Sequence, residues 1–359
     1  MHPGTPRPTL LLIAATVLLP SCGGSSSPAP SPSPETYHAA VNVFYDQDGN
    51  GIRDTDEVGV VPNATVEIGG ATGESQPGTG RAEMDGAVAG LDPVTFKALP
   101  PFYVASTPIS LTVPQPAGIE VYAPLTLPIG NNVPGLYMGF GDSITVGDGS
   151  YDNQGYRPGL QSMLQGHFGM GELNDQGIEA TRSNDGAARI DFSLGYVKPA
   201  YTLILYGTND WNDQSCREAF PCFTVDSLRS IVRSVKAHHS LPILSAIIPC
   251  NTGYDARTPP ERNVWVSDMN DLIKPMAAEE GAVFVDMYAA FMAVPDFHAL
   301  FSDHVHPNDA GYKIMAEQWF AAITTPQAKT QAREVAPPRP RPADRYYGSP
   351  GREMGRYEE

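Results

Sequence analysis

Two textures divide the sequence and predict its fold class: a small β-sandwich over residues 38–130, then a three-layer α/β/α domain over 135–324. The first rests on short, nearly alternating runs rich in β-branched and aromatic residues, separated by Gly and Pro turns. The second rests on continuous apolar runs, the mark of strands covered on both faces, interleaved with stretches whose apolar residues recur at helical spacing. A length of 359 residues accommodates two domains plus tails.

Ahead of both domains, Arg7 precedes the apolar run Thr9 to Leu19, which ends in Leu19-Pro20-Ser21-Cys22-Gly23-Gly24. That run is too short to stay in a bilayer as a helix, and the small residues after it suit cleavage, so residues 1–21 read as an export signal. Residues 22–37 are rich in Ser and Pro and read as an extended spacer.

The strands expected in the β domain are Val41–Tyr45, Ala64–Ile68, Val94–Ala98, Ile109–Val113 and Ile119–Tyr122. Between the first two lies Asp46-Gln47-Asp48-Gly49-Asn50-Gly51-Ile52-Arg53-Asp54-Thr55-Asp56-Glu57. It satisfies the twelve-residue calcium loop: side-chain oxygens from Asp46, Asp48, Asn50 and Asp54, the backbone carbonyl of Ile52, Gly51 at the sharp turn, and Glu57 able to bind through both oxygens. A strand precedes the loop where a helix pair would have a helix, and no second copy follows. The expected role of the ion is therefore structural.

Buried strands of the second domain are expected at 135–140, 201–206, 242–248 and 282–285. Leu228, Ile231, Val232 and Val235 mark one amphipathic helix, and Trp265, Met269, Leu272 and Met276 mark another. A last helix should run from Asn308, its N-cap, to about Ala322, with Tyr312, Met315 and Trp319 on one face. From 325 to 359 the chain turns Pro-, Arg- and Tyr-rich and reads as a disordered tail. The balance of 23 Lys+Arg against 40 Asp+Glu, a net −17, argues against nucleic acid or an anionic membrane surface as a partner. In an exported chain Cys216 and Cys222 suit a disulfide better than a metal site, and Cys250 reads as a buried free thiol.

Four separated blocks carry the chemistry: Gly141-Asp142-Ser143-Ile144-Thr145 after an apolar run, Asn174-Asp175-Gln176-Gly177, Gly207-Thr208-Asn209-Asp210, and Asp303-His304-Val305-His306-Pro307. In this order they closely resemble the SGNH (GDSL-type) hydrolase family, over roughly residues 135 to 323. The resemblance implies a flavodoxin-like α/β/α domain, a serine esterase activity and no cofactor for catalysis. Ser143 is then the nucleophile, and His306 the base that becomes the acid. Asp303 turns back to hold the tautomer of His306. Pro307 pushes His306 out of the helical region, so Asp303 to His306 is a shaped loop. His304 competes as base and Asp286 as triad acid, while Asp142 and Asp210 read as loop-bonding carboxylates.

The same resemblance implies an oxyanion hole from the N–H groups of Ser143 and Gly177 and the side-chain amide of Asn209, with Gly186 an alternative to Gly177. Asn153-Gln154-Gly155-Tyr156-Arg157 and His306 to Tyr312 resemble the acetylxylan esterase branch, which implies an O-acetyl carbohydrate ester as substrate. Arg157 could bind sugar hydroxyls or anchor a helix, and Trp211 could stack on a sugar or pack. The calcium loop resembles those of B-type repeats in bacterial surface adhesins, and the Leu-x-Ser-Cys ending resembles a lipoprotein box with Cys22 as the lipidated residue. Such a protein would meet the membrane only through that anchor. Rival readings are a lysophospholipase or other lipid-directed esterase, an ordinary secreted protein, and a glycan-binding surface protein without catalysis.

Overall fold

In the computed structural model of the chain, residues 33–328 are described. The expected signal at 1–21, Cys22, most of the spacer, and the chain beyond 328 lie outside them. The β region contributes β1 (Thr36–Tyr45), β2 (Thr65–Ile68), β3 (Ala71–Glu74), β4 (Arg81–Val88), β5 (Gly90–Pro93), β6 (Thr95–Leu99), β7 (Val104–Ala105), β8 (Ser110–Val113) and β9 (Tyr122–Thr126). One four-stranded sheet has the order β4-β1-β9-β7, and β5 and β8 form a separate pair. The second four-stranded sheet, in which β6, β2 and β3 are neighbours, takes its outer strand from the far end of the chain.

That outer strand corrects an expectation. Gln327 and Ala328, assigned from sequence to the disordered tail, form β15 and pair antiparallel with Leu99 and Ala98. A second correction concerns Ile119–Tyr122. The strand starts only at Tyr122, and Ile119 is 57% exposed. Pro124 within β9 disguised the true strand, and β4 of the same sheet, with buried Ala82, Met84 and Ala87, has only Val88 among the β-branched residues that advertise one.

The α/β region runs β10 (Val133–Gly141), α1 (Ser143–Val146), α2 (Arg157–Phe168), β11 (Glu172–Gly177), α3 (Ser183–Val197), β12 (Pro199–Leu205), α4 (Gln214–Glu218), α5 (Thr224–Ala237), β13 (Leu241–Ser245), α6 (Pro260–Glu280), β14 (Val283–Val285), α7 (Met287–Met292) and α8 (Asp309–Thr324). The sheet order is β11-β10-β12-β13-β14, all parallel. Because side chains alternate along each strand, Tyr137, Tyr201, Leu203 and Ile243 join one core cluster with Leu160 and Leu164 of α2 and Met315 and Trp319 of α8. Met138, Phe140, Ile204 and Leu244 join the other, with Ile190 of α3, Ile231 and Val235 of α5, and Trp265 and Met269 of α6. These are the three layers.

The two regions belong to one compact unit that begins at Glu35. Tyr103 stacks on Phe168 at 6.4 Å between ring centroids, and Phe102 meets Tyr201 edge-on at 6.2 Å. The N–H of Val60 donates to the Phe168 carbonyl at 3.1 Å, and Asn63 Nδ2 to the Thr324 carbonyl at 3.1 Å. The α/β region therefore rests on the sandwich at α2 and α8, the two helices whose opposite ends border the site.

Candidate active site

In the parallel register Gly141 stands between Gly177 of β11 and Leu205 of β12, so the turn that follows β10 opens at the carboxyl edge of the sheet. Asp142 caps α1, its Oδ1 accepting from the Ile144 N–H at 3.0 Å, which leaves Ser143 as the first helical residue. At the other end of the domain, Asn308 caps α8 by accepting from the N–H groups of Ala310 and Gly311. The helix cannot extend back through Pro307, so Asp303 to His306 stay as a loop.

That loop aims the imidazole. Asp303 Oδ1 accepts from the N–H groups of Val305 and His306, each at 2.8 Å, and Oδ2 lies 2.8 Å from His306 Nδ1. His306 Nε2 lies 2.9 Å from Ser143 Oγ. Burial works to raise the Asp303 pKa, but hydrogen bonds from the His306 ring and from the N–H groups of His306 and Val305 outweigh it and hold the carboxyl below its ordinary range. Such a carboxylate stays charged beside an imidazole that gains a proton.

The competing groups are placed differently. His304 Nδ1 is 3.5 Å from Asp303 Oδ1, and its ring stands 6.0 Å from that of His306, nearly perpendicular. Asp286 caps α7 through the Ala289 N–H and pairs with Lys274. Gly186 lies inside α3 against the Tyr206 ring, where a Cβ would come within 2.6 Å. Asp210 is buried and accepts from the Ser183 N–H, the Ser183 hydroxyl and the Thr224 hydroxyl, which ties three loops together.

Gly177 corrects an expectation. Its N–H donates to Asp175 Oδ1 at 2.8 Å, within β11 itself. Glycine is required there for another reason: a Cβ would sit 2.6 Å from the Val146 nitrogen and 2.9 Å from the Asp142 carbonyl oxygen, so α1 closes directly on β11. Asp175 Oδ2 in turn receives Arg157 at 3.1 Å, and Arg157 also donates to the Val146 carbonyl at 2.7 Å. Arg157 is thus an anchor joining α2, α1 and β11. Trp211 packs edge-to-face on Trp265 at 5.9 Å with the Arg217 guanidinium near its ring.

Asn209 Nδ2 donates to the Thr181 carbonyl at 3.0 Å and reaches Asp142 Oδ2 at 3.4 Å. Beside it the sequence reading missed Ala180, held at φ 59° between Ile178, whose N–H donates to the Gly141 carbonyl, and Thr181. Nothing in the sequence marks it, since a left-handed turn is expected at Gly, Asn or Asp. Asp142 is fully buried, and burial pushes its pKa up to about 7.

In the β region Asp46, Asp48 and Glu57 bring carboxylate oxygens within 4.8 Å of one another. Asp46 is 0% exposed and Glu57 4%. Backbone N–H groups of Gly49 and Gly51 and the Ser106 hydroxyl point at Asp46, and those of Gln47 and Asp54 at Glu57. Asn50 Nδ2 links Asp48 to Asp54, and Ile52 is exposed. Among the described residues no Lys, Arg or His forms an ion pair with this cluster. Its donor set, all hard oxygen, fits a divalent cation of the calcium kind. Elsewhere, Cys216 and Cys222 are joined as a disulfide and Cys250 is free and buried. Among the described residues no helix is long and apolar enough to cross a membrane.

Residues 140–314 match the model of the GDSL-like lipase/acylhydrolase family, just under half of the 359-residue chain. Among solved structures the chain is similar to Axe2, an acetylxylan esterase from Geobacillus stearothermophilus, at 26% identity and a TM-score of 0.43, covering 54% of this chain and 95% of that one. It is similar also to the acetyl xylan esterase AlAXEase, at 20% identity and a TM-score of 0.45, covering 52% and 99%. No curated protein matches the chain.

Proposed function

We propose that this carboxylic ester hydrolase, a GDSL-type lipase/acylhydrolase over residues 140–314, removes short acyl groups, O-acetyl above all, from carbohydrate outside the cytoplasm. The observation that carries the reading is the unbroken relay from Ser143 Oγ through His306 to Asp303, with contacts of 2.9 and 2.8 Å.

His306 takes the Ser143 proton through Nε2 as the hydroxyl attacks the ester carbonyl. Asp303 keeps the other proton on Nδ1 and stabilises the imidazolium. Nε2 then gives its proton to the departing alcohol, leaving an acyl-serine that water clears by the same steps. The Ser143 N–H at the start of α1 and the Asn209 amide face the developing oxyanion. The Asn209 N–H with the long 3.4 Å contact to Asp142 is the one free to turn. With the Gly177 N–H already committed, the N–H of left-handed Ala180 is the third donor.

Short acyl groups are favoured because the side chains bordering the relay, Asp148, Ser302 and Asn209, are polar, whereas a long alkyl chain needs an apolar lining. The Cys216–Cys222 disulfide supports an oxidising compartment, in line with a signal at 1–21 and a lipid on Cys22. In the sandwich, Asp46, Asp48 and Glu57, with Asn50, Asp54 and the Ile52 carbonyl, would hold a structural calcium ion.

Acetate release from acetylated xylan and other acetylated glycans by the wild type and by Ser143→Ala tests the reading. Loss of at least about 10⁴-fold in the variant is expected. Equal release by both proteins, or a strong wild-type preference for octanoyl over acetyl 4-nitrophenyl esters, would overturn it.

A further inference from the structure

The relay leaves one nearby carboxylate without a role. Asp148 Oδ2 lies 4.0 Å from His306 Nε2, on the Ser143 side of the ring and away from Asp303. Its side chain is 30% exposed, and among the described residues His306 is its sole charged partner. Its backbone is fixed from three directions. The Asp148 N–H donates to the Ser143 carbonyl at 3.1 Å, and the Tyr312 hydroxyl donates to the Asp148 carbonyl at 2.7 Å. Gly147 and Gly149 flank it at φ 107° and 92°, and a Cβ at Gly149 would come within 2.3 Å of Ser302 Oγ and 3.0 Å of the His306 Cβ. The backbone that carries the charge is therefore built into the site.

Other charged or titratable groups near His306 are Asp303, Asp142 and His304. Asp303 is engaged at Nδ1, Asp142 is a buried helix cap, and His304 turns its ring across that of His306. Asp148 differs in standing beside Nε2 and open to solvent. When the acyl group transfers, Nε2 must hand its proton to the leaving oxygen, so that oxygen comes within hydrogen-bond reach of this nitrogen. A carboxylate 4.0 Å from the same nitrogen then stands within a few ångströms of whatever the leaving oxygen carries.

We propose that Asp148 selects the leaving group: it accepts a hydrogen bond from a hydroxyl next to the ester oxygen, as in a polyol or sugar, and repels leaving groups that bear a carboxylate. The proposal rests on the esterase reading above and adds to it the chemistry of the alcohol half. A fixed anion at short range discriminates by charge more than it adds general affinity.

The test uses the full chain and reads ratios of kcat/KM in the wild type, Asp148→Asn, Asp148→Ala and Asp148→Glu. For charge the pair is 4-acetoxybenzoate against phenyl acetate. In Asp148→Asn the ratio is expected to rise about tenfold, with the difference from wild type shrinking in 1 M salt. For the hydroxyl the pair is glycerol monoacetate against ethyl acetate. In Asp148→Ala that ratio is expected to fall about tenfold, and in Asp148→Glu to recover in part. Both ratios unchanged across all variants, with all rates falling together, would overturn the proposal by leaving Asp148 to act on His306 alone. No ester hydrolysis by wild type above Ser143→Ala would instead overturn the esterase reading itself.

Discussion

The sandwich and the α/β region each hold carboxylates with backbone N–H groups, and they do opposite things with them. Asp303 receives two N–H groups on one oxygen and turns the other to an imidazole. Asp46 and Glu57 each receive two N–H groups as well, yet their remaining valence faces another carboxylate. In the first case the negative charge is answered from within the chain, by a group that can gain a proton. In the second, no positively charged side chain among the described residues answers it, which leaves the place open to a cation from solution. What separates a proton relay from a cation site here is how the N–H groups are dealt, both to one oxygen of Asp303 but one to each oxygen of Asp46 and Glu57, and the partner that the carboxylate then faces.

The comparison breaks first at Asp303. In Asp303→Asn the amide takes the same space, but it can turn an N–H toward Nδ1 and so favour the wrong tautomer. We expect kcat to fall about 10⁴-fold with folding preserved; a loss under tenfold in steady-state assays would mean that the carboxylate does not hold His306. At the other cradle the effect is on stability. Removing calcium with a chelator should lower Tm by about 5 °C, and Asp46→Asn should abolish the response to added calcium. Identical melting curves with and without the ion would show the carboxylates to be accommodated without it.

Both cradles were legible in the sequence because each is a short contiguous motif: twelve residues from Asp46 to Glu57, and Asp303 to His306 bounded by Pro307. The buried strands β12 and β13 were legible for the same reason, as unbroken apolar runs. What stayed hidden depends on partners far away in the chain. Arg157 finds Asp175, and Gly177 is pressed under Val146, through the pairing of β10 with β11. β11 itself, Glu-Leu-Asn-Asp-Gln-Gly, is polar because it is an edge strand, so it carries no hydrophobic signature. α2 and α3 were masked by Gly159, Gly166, Gly186 and Gly195 inside them, tolerated because helix stability comes from packing against the sheet.

A third carboxylate sharpens the contrast, with the smallest expected effect. Asp142 is as buried as Asp46 but, among the described residues, has neither an imidazole nor a second carboxylate in hydrogen-bonding contact; it accepts from the Ile144 N–H and has a long contact to Asn209. Burial raises its pKa from 3.8 to about 7. An acid raised on folding gives up stability as pH climbs: below the unfolded value both states are protonated, and between there and about 7 only the unfolded chain gains by ionising. Asn is an equally good helix cap, so Asp142→Asn should keep α1 while removing that penalty. Its Tm relative to wild type should therefore rise as pH goes from about 4 to about 7 and level off above. A Tm difference that stays flat across this range in melts of both proteins would mean that Asp142 is ionised in the folded protein at low pH, and that the cap and Asn209 answer its charge as fully as His306 answers that of Asp303.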